Sequence, residues 1–175
     1  FETPLVIFPP WINKYYILDL TAEKSFIRWC TEQGITVFVA SWKNADASIA
    51  DATIDTYVEE GICTAIKVVR EICDAPSTHT IGYCVAGTTL AAALAVLEAR
   101  GEAAHVASTT FFPAQADFCD AGELKYFVDD PSVETLEKVT ADKPVLDGRF
   151  MATTFNLLRS NDLIWNYVVN NYMLG

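Results

Sequence analysis

Residues Ile81–Thr88 read Ile-Gly-Tyr-Cys-Val-Ala-Gly-Thr and lead into the Ala/Leu-rich stretch Thr89–Leu97. A short apolar run, a cluster of small residues around Cys84 and then a helix-forming stretch is the layout of a nucleophile elbow. In that motif a reactive side chain stands on a sharp turn between a strand and a helix. Gly82 and Ala86 flank Cys84 two positions away on either side, in the pattern G-x-C-x-A. Small residues are needed there because strand and helix nearly collide, and the nucleophile itself is pushed to a strained φ/ψ. An elbow requires a strand feeding directly into a helix, so it confines the chain to layered α/β architectures. It points to covalent acyl transfer, which needs a His and an Asp or Glu as partners of the nucleophile.

The remaining pattern agrees with a layered fold. Leu5–Phe8 is a short continuous apolar run stopped by Pro9-Pro10, as in a buried parallel strand. Ser25–Glu32 reads as a helix ended by Gly34, and Thr36–Trp42 as the next strand. Ile54, Val58, Ile62, Ala65, Ile66, Val69 and Cys73 share one helical face, which predicts a long amphipathic helix from Ile49 to Cys73. Thr80–Tyr83 is a strand, Thr88–Arg100 a helix and Val106–Phe112 a further strand closed by Pro113. Such alternation predicts a parallel sheet with helices on both faces, its chemistry at the carboxyl ends of the strands. From Asp117 the alternation stops. Glu123–Val128, Ser132–Val139 and Phe150–Met173 look helical, punctuated by Pro131, Pro144 and Gly148. Residues 1–116 are expected to form a partial α/β core, and residues 117–175 a helical cap or lid.

Within that frame Cys84 is the candidate nucleophile. Its sulfur would lie at the N-terminus of the following helix, where the dipole favours thiolate. The backbone N–H of Val85 would be one oxyanion donor. A second is expected from the loop after the first strand, at Ile12 with Trp11 next, because Pro9 and Pro10 have no N–H. The two histidines do not fit. His79 precedes its strand and His105 opens the last one, so both belong to the amino edge. In an elbow fold the acid and then the His follow the nucleophile, and no His follows His105. Asp117, Asp120, Asp129 and Asp130 read as solvated surface carboxylates whose spacing matches no calcium loop, and no metal is expected. Gly82-x-x-x-x-Gly87-Thr88-Thr89 has the glycines of a phosphate-binding loop without its Lys. Phe150, Phe155, Trp165, Tyr167 and Tyr172 ride on the cap segments, where they could line an apolar channel, form a dimer surface or simply pack between helices.

A net charge of −11 at pH 7 argues against nucleic acid as the main partner, and the chain offers no obvious basic patch for a phosphorylated ligand. No apolar run reaches the ~18 to 20 residues of a membrane span. The five cysteines include no C-x-x-C pair, which reads as reduced thiols, with Cys30, Cys63 and Cys73 as core residues. Starting at Phe1 without a signal peptide and stopping at Gly175 just after an apolar helical segment, the chain reads as an internal piece of a longer protein.

Several segments resemble hallmark stretches of the polyhydroxyalkanoate synthases, specifically the single-subunit type that prefers short-chain monomers. They are Pro9-Pro10-Trp11-Ile12-Asn13-Lys14-Tyr15-Tyr16-Ile17-Leu18-Asp19-Leu20, Val39-Ala40-Ser41-Trp42-Lys43-Asn44, the elbow Gly82–Thr88, and Asn161-Asp162-Leu163-Ile164-Trp165-Asn166-Tyr167. The resemblance implies a partial α/β-hydrolase fold with Cys in place of Ser as nucleophile. It implies polymerisation of (R)-3-hydroxyacyl groups from coenzyme A thioesters, with release of coenzyme A and with the growing polyester held on Cys84. The thioester is substrate, so no cofactor is implied. It further implies a cap that gates the site and supports a homodimer, and a cytoplasmic enzyme at polyester granules. Two departures stand out. Ala86 occupies a position where the family has Gly, and the family's catalytic Asp and His lie beyond Gly175, so residues 1–175 alone are expected to be inactive. Two other readings compete with this one: a Cys-dependent hydrolase similar to dienelactone hydrolases, and a non-catalytic granule-associated module.

Overall fold

Strand β1, Leu5–Phe8, is buried along its whole length. The computed structural model describes residues 2–12, 14–122, 125, 129–141, 145–146 and 148–174. Within them β1 lies between β4 (Val37–Val39) and β5 (Thr78–Tyr83), and β6 (Val106–Phe112) lies outside β5. All three pairings are parallel. Asp19–Thr21 (β2) and Lys24–Ser25 (β3) form a separate antiparallel ribbon, which the hydrophobic pattern does not announce.

Side chains alternate across a strand, and on β1 both faces are apolar. Val6 and Phe8 join one core with Ile62, Ile66, Leu90 and Ala93. Leu5 and Ile7 join the other with Cys30 and Ile81, against Phe26 and Ile27. The first face is covered by helices α3 (Thr64–Cys73) and α4 (Val85–Ala99), the second by α1 (Phe26–Glu32). The expected parallel sheet with helices on both faces is therefore present. Ser25 starts α1 by accepting a 2.8 Å hydrogen bond from the Arg28 N–H.

The boundaries differ from the expected ones for local reasons. The strand expected over Thr36–Trp42 is only Val37–Val39 long, because its sole sheet neighbour is the four-residue β1. The helix expected from Ile49 begins at Ile54. Thr53 and Thr56 form a reciprocal capping box there, and Ala47–Ile49 make a separate 3-10 turn capped by Asp46. Ile54, assigned to the buried stripe, is 65% exposed, whereas Val58, Ile62, Ile66 and Val69 are buried. Between α2 (Ile54–Thr56) and α3 the rod widens into a π-helix at Tyr57–Cys63. Gly61 in that segment lies against Trp42, whose ring would be 2.8 Å from any Cβ placed there.

Chain contacts divide the protein into two units, residues 1–44 with 51–116 and residues 45–50 with 117–175. Among the described residues the second unit is helical. Asp129 caps α5 (Asp130–Thr140) by accepting from the Ser132 N–H at 3.0 Å, with Pro131 in the first turn. The helix expected over Phe150–Met173 is divided into α6 (Gly148–Leu158), a π-helical stretch Asn161–Trp165, α7 (Asn166–Val168) and a second π-helical stretch Val169–Met173. The segment expected to be helical at Glu123–Val128 lies outside the described residues apart from Lys125. No described helix is long and apolar enough to cross a membrane.

The last turn of α4 is tied to the π-helix by a two-pronged ion pair between Arg100 and Glu59, one arm 2.8 Å long. The Arg100 hydrogen bonds hold the Glu59 carboxyl below its usual range. A group whose folded pKa is lowered stabilises above the unfolded value, and the contribution disappears as pH falls through the folded one. Thermal unfolding of Glu59→Gln should therefore show a lower midpoint than wild type at pH 7. The gap should close on acidification below the ordinary carboxylate range.

Candidate active site

Strand β5 ends at Tyr83 and α4 starts at Val85, so one residue makes the whole turn. That residue is Cys84, with φ 55° and ψ −127°. Among the described residues Asp74 is the other non-glycine with positive φ, and it occupies the ordinary left-handed well. Cys84 does not. A backbone in such a sparsely populated region costs on the order of 1–3 kcal/mol and persists only where its surroundings enforce it.

The surroundings can be named. The Cys84 carbonyl accepts from the N–H of Gly87 at 2.8 Å and of Thr88 at 3.3 Å, which closes the first turn of α4. Thr88 Oγ1 donates to the Gln115 carbonyl at 2.6 Å, linking the turn to the segment after β6. A Cβ on Gly82 would fall 2.7 Å from Gly87 Cα and 2.9 Å from Leu90 Cδ2. One on Gly87 would fall 2.4 Å from Ala114 Cβ. The tight partner of Gly82 is thus Gly87, not Ala86. Ala86 is wholly buried in the core beside Leu90, which accounts for the tolerance of its methyl group.

Cys84 is half-buried at the start of a 15-residue helix. The first N–H groups of a helix have no intrahelical acceptor. With those of Gly87 and Thr88 turned back to Cys84, the N–H groups of Val85 and Ala86 are left at the helix start. The other thiols are differently placed. Cys30 is 1% exposed and burial pushes its thiol up. Burial does the same at Cys63, helped by the Glu59 charge. Cys63 and Cys73 pack against the core as expected, and Cys119 is exposed.

The register Phe8↔Gly82 sets Pro9 and the residues after it beside Tyr83 and Cys84. From β1 the chain crosses to one side of the sheet and from β5 to the other, since the strand order is β4-β1-β5-β6. The carboxyl ends of β1 and β5 therefore frame a topological switch point, where open α/β sheets bind ligands. Trp42 Nε1 donates to the Pro9 carbonyl at 2.6 Å. Its ring meets Trp11 edge-on at 6.0 Å, and Trp11 stacks on Tyr57 at 4.4 Å. Trp11 and Ile12 form a turn in which Ile12 is 42% exposed. Cys84, Val85 and the Trp11–Ile12 turn thus share one edge of the sheet.

The histidines sit at the opposite edge. His79 is the second residue of β5 and not a residue before it, because β5 begins two positions earlier than expected. Five residues at ~3.3 Å each put it roughly 17 Å from Cys84 along the strand. Its Nδ1 lies 2.7 Å from Ser108 Oγ. His105 ends the 3-10 turn Ala103–His105 just before β6. The carboxylates of the second unit have local work. Asp117 accepts from the Cys119 N–H at 2.9 Å, which lowers its pKa, and Asp129 caps α5. Among the described residues no three His, Cys, Asp or Glu side chains gather as a metal site would need. Three participants were not singled out from sequence: Gly87, Trp42 and Tyr57. A glycine inside a helical pattern, Gly61, was the available sign that a bulky ring lies against that helix.

A strained cysteine at the switch point of a parallel α/β sheet defines the class. Comparison with known proteins narrows it. A family profile described as "Poly-beta-hydroxybutyrate polymerase (PhaC) N-terminus" matches residues 1–30. The chain is 48% identical over 174 residues to the poly(3-hydroxyalkanoate) polymerase subunit PhaC of Rhizobium meliloti, covering 99% of this chain and 28% of that protein. It is 48% identical to the poly(3-hydroxyalkanoate) polymerase of Methylorubrum extorquens, again over 99% of this chain and 29% of the relative. For the polymerase subunit PhaC of Cupriavidus necator the identity is 48%, over 98% and 30%. Over nearly its whole length the chain is thus similar in sequence to poly(3-hydroxyalkanoate) polymerases. It spans less than a third of the length of these relatives.

The close approach of β5 and α4 is directly testable. Gly87→Ala should lower unfolding free energy by ~1–3 kcal/mol, the usual range for overpacking. Adding Ala114→Gly should recover only part of that loss in urea titrations, because the new methyl would still meet Gly82 O at 3.0 Å.

Proposed function

We propose that this chain is the nucleophile-bearing part of a poly(3-hydroxyalkanoate) polymerase, and that Cys84 carries the growing polyester as a thioester. The observation that supports this most directly is the backbone of Cys84, a strained non-glycine turn at a topological switch point. The polymerase names of its relatives support it too, and favour neither the dienelactone hydrolase-like reading nor the non-catalytic granule module.

In this reading the Cys84 thiolate attacks the carbonyl of a (R)-3-hydroxyacyl-CoA thioester. The C–S bond to coenzyme A breaks, free coenzyme A leaves as the thiol after protonation, and the acyl group is held on Sγ. The 3-hydroxyl of a further hydroxyacyl-CoA then attacks that acyl carbon, the C–Sγ bond breaks with its electron pair returning to Cys84, and the extended chain, now a coenzyme A thioester, is passed back to Sγ by a second thioester exchange that frees coenzyme A. Both tetrahedral oxyanions accept hydrogen bonds from the N–H groups of Val85 and Ile12. The base that takes the thiol and hydroxyl protons is a His with an acidic partner from outside residues 1–175, since His79 and His105 occupy the far edge of the sheet. The fold is that of a partial α/β-hydrolase. The second unit, from residue 117, is its cap. Exposed Trp165, Tyr167, Tyr172 and Leu174 there support a role in homodimer formation, and the polymer product implies work at a granule surface in the cytoplasm.

The test uses the complete polymerase that contains this segment. Cys84→Ala and Cys84→Ser should each lower polymer synthesis by on the order of 10³-fold or more. Intact-protein mass spectrometry should lose the acyl adduct in the alanine variant. Wild-type rates in both would remove Cys84 from the mechanism.

A further inference from the structure

On the side of the switch point away from Cys84, beyond the carboxyl ends of β1 and β4, lies a cavity of about 250 Å³. Its wall includes Trp11, Lys14, Tyr15, Tyr16, Trp42 and Asn44. The Lys14 ammonium donates to Asn44 Oδ1 at 3.0 Å, which fixes it at the rim. Tyr15 and Tyr16 meet edge to face at 5.4 Å and are 50% and 46% exposed. Half-exposed aromatic rings around a held cation are the elements that recognise a planar heterocycle bearing phosphate.

The charge of Lys14 bears on what the cavity could hold. In the same unit Arg28 is matched by Glu32, Lys67 by Glu71 and Arg100 by Glu59. Lys14 is held by a neutral amide, so the hydrogen bond that orients it leaves its charge uncancelled. In a chain of net charge −11 an anionic ligand needs such a local cation. Position fits as well. Strands lie ~4.8 Å apart, so the end of β4 is roughly 10 Å from the end of β5 across β1, a span the extended arm of a coenzyme A thioester bridges.

Resting on the polymerase reading above, we infer that this cavity receives the nucleotide end of the coenzyme A thioester. Its aromatic rings face the base, and Lys14, oriented by Asn44, contacts phosphate. Residues of the first connection would then serve two tasks: the Trp11–Ile12 backbone at the reacting carbonyl and the Lys14 side chain at the far end of the substrate.

The experiment compares two substrates of the complete polymerase, (R)-3-hydroxybutyryl-CoA and the same acyl group on N-acetylcysteamine, which lacks the nucleotide. Lys14→Met should raise KM for the coenzyme A thioester about tenfold, the loss expected for one charge-assisted contact. It should leave kcat for that substrate, and both constants for the truncated one, near wild type. Lys14→Arg should restore most of the KM. Equal losses on both substrates, or no change on either, would overturn the assignment. Should wild type turn over neither thioester, the polymerase reading falls by itself. Equilibrium dialysis with adenosine 3′,5′-bisphosphate then decides the cavity: binding weakened by Lys14→Met sustains it, and absent or unchanged binding overturns it.

Discussion

Between Gly82 and Gly87 there is no room for a side chain, and most of what is distinctive about this protein follows from that contact. The last turn of β5 and the first turn of α4 approach until a single methyl on either glycine would collide with backbone or with Ala114. Only one residue is left to reverse direction. Cys84 takes that role with a φ of 55°, and its carbonyl closes the helix start through Gly87 and Thr88. The turn is held by packing from both sides of the sequence and not by any preference of cysteine.

The sheet offsets the strain. β1 is buried on both faces and pairs on both edges, so its register with β5 is rigidly specified. That register carries the chain after Phe8 to the side of Cys84. Trp42 then fixes the loop by its hydrogen bond to Pro9 and its contact with Trp11, while Gly61 leaves room for the Trp42 ring in the π-helix. An aromatic cluster built from the segment after β4, the first connection and a helix thus holds the backbone proposed to complete the oxyanion site.

Much of this was legible in the residues. Strand β1 falls where its apolar run lies, β6 covers the expected Val106–Phe112, and the helix stripe Val58, Ile62, Ile66 and Val69 is buried as its period requires. The strand-to-helix turn at Cys84 was visible because glycine, cysteine and alanine at fixed spacing leave few alternatives. Other features were hidden for identifiable reasons. Thr53 and Thr56 cap each other through their hydroxyls, a signal weaker than the apolar stripe that overran it. The role of Gly87 was masked by a local rule about flanking positions, when the constraint was a distance between two elements. Trp42 looked like a strand-end residue, because its partners Pro9, Trp11 and Tyr57 are distant in sequence.

The sequence by itself determined the alternation of strands and helices, the position of the turn at Cys84 and the kinship with the polymerases, since these depend on local spacing and residue type. Only the tertiary structure decided that β1 lies between β4 and β5, that the turn after Pro10 and Cys84 lie at the same edge of the sheet, and that Lys14 comes to Asn44. Those juxtapositions depend on strand order and register, which are set by burial of both faces of β1 at once. A linear pattern records which side chains seek burial, but not which of them will share the same core.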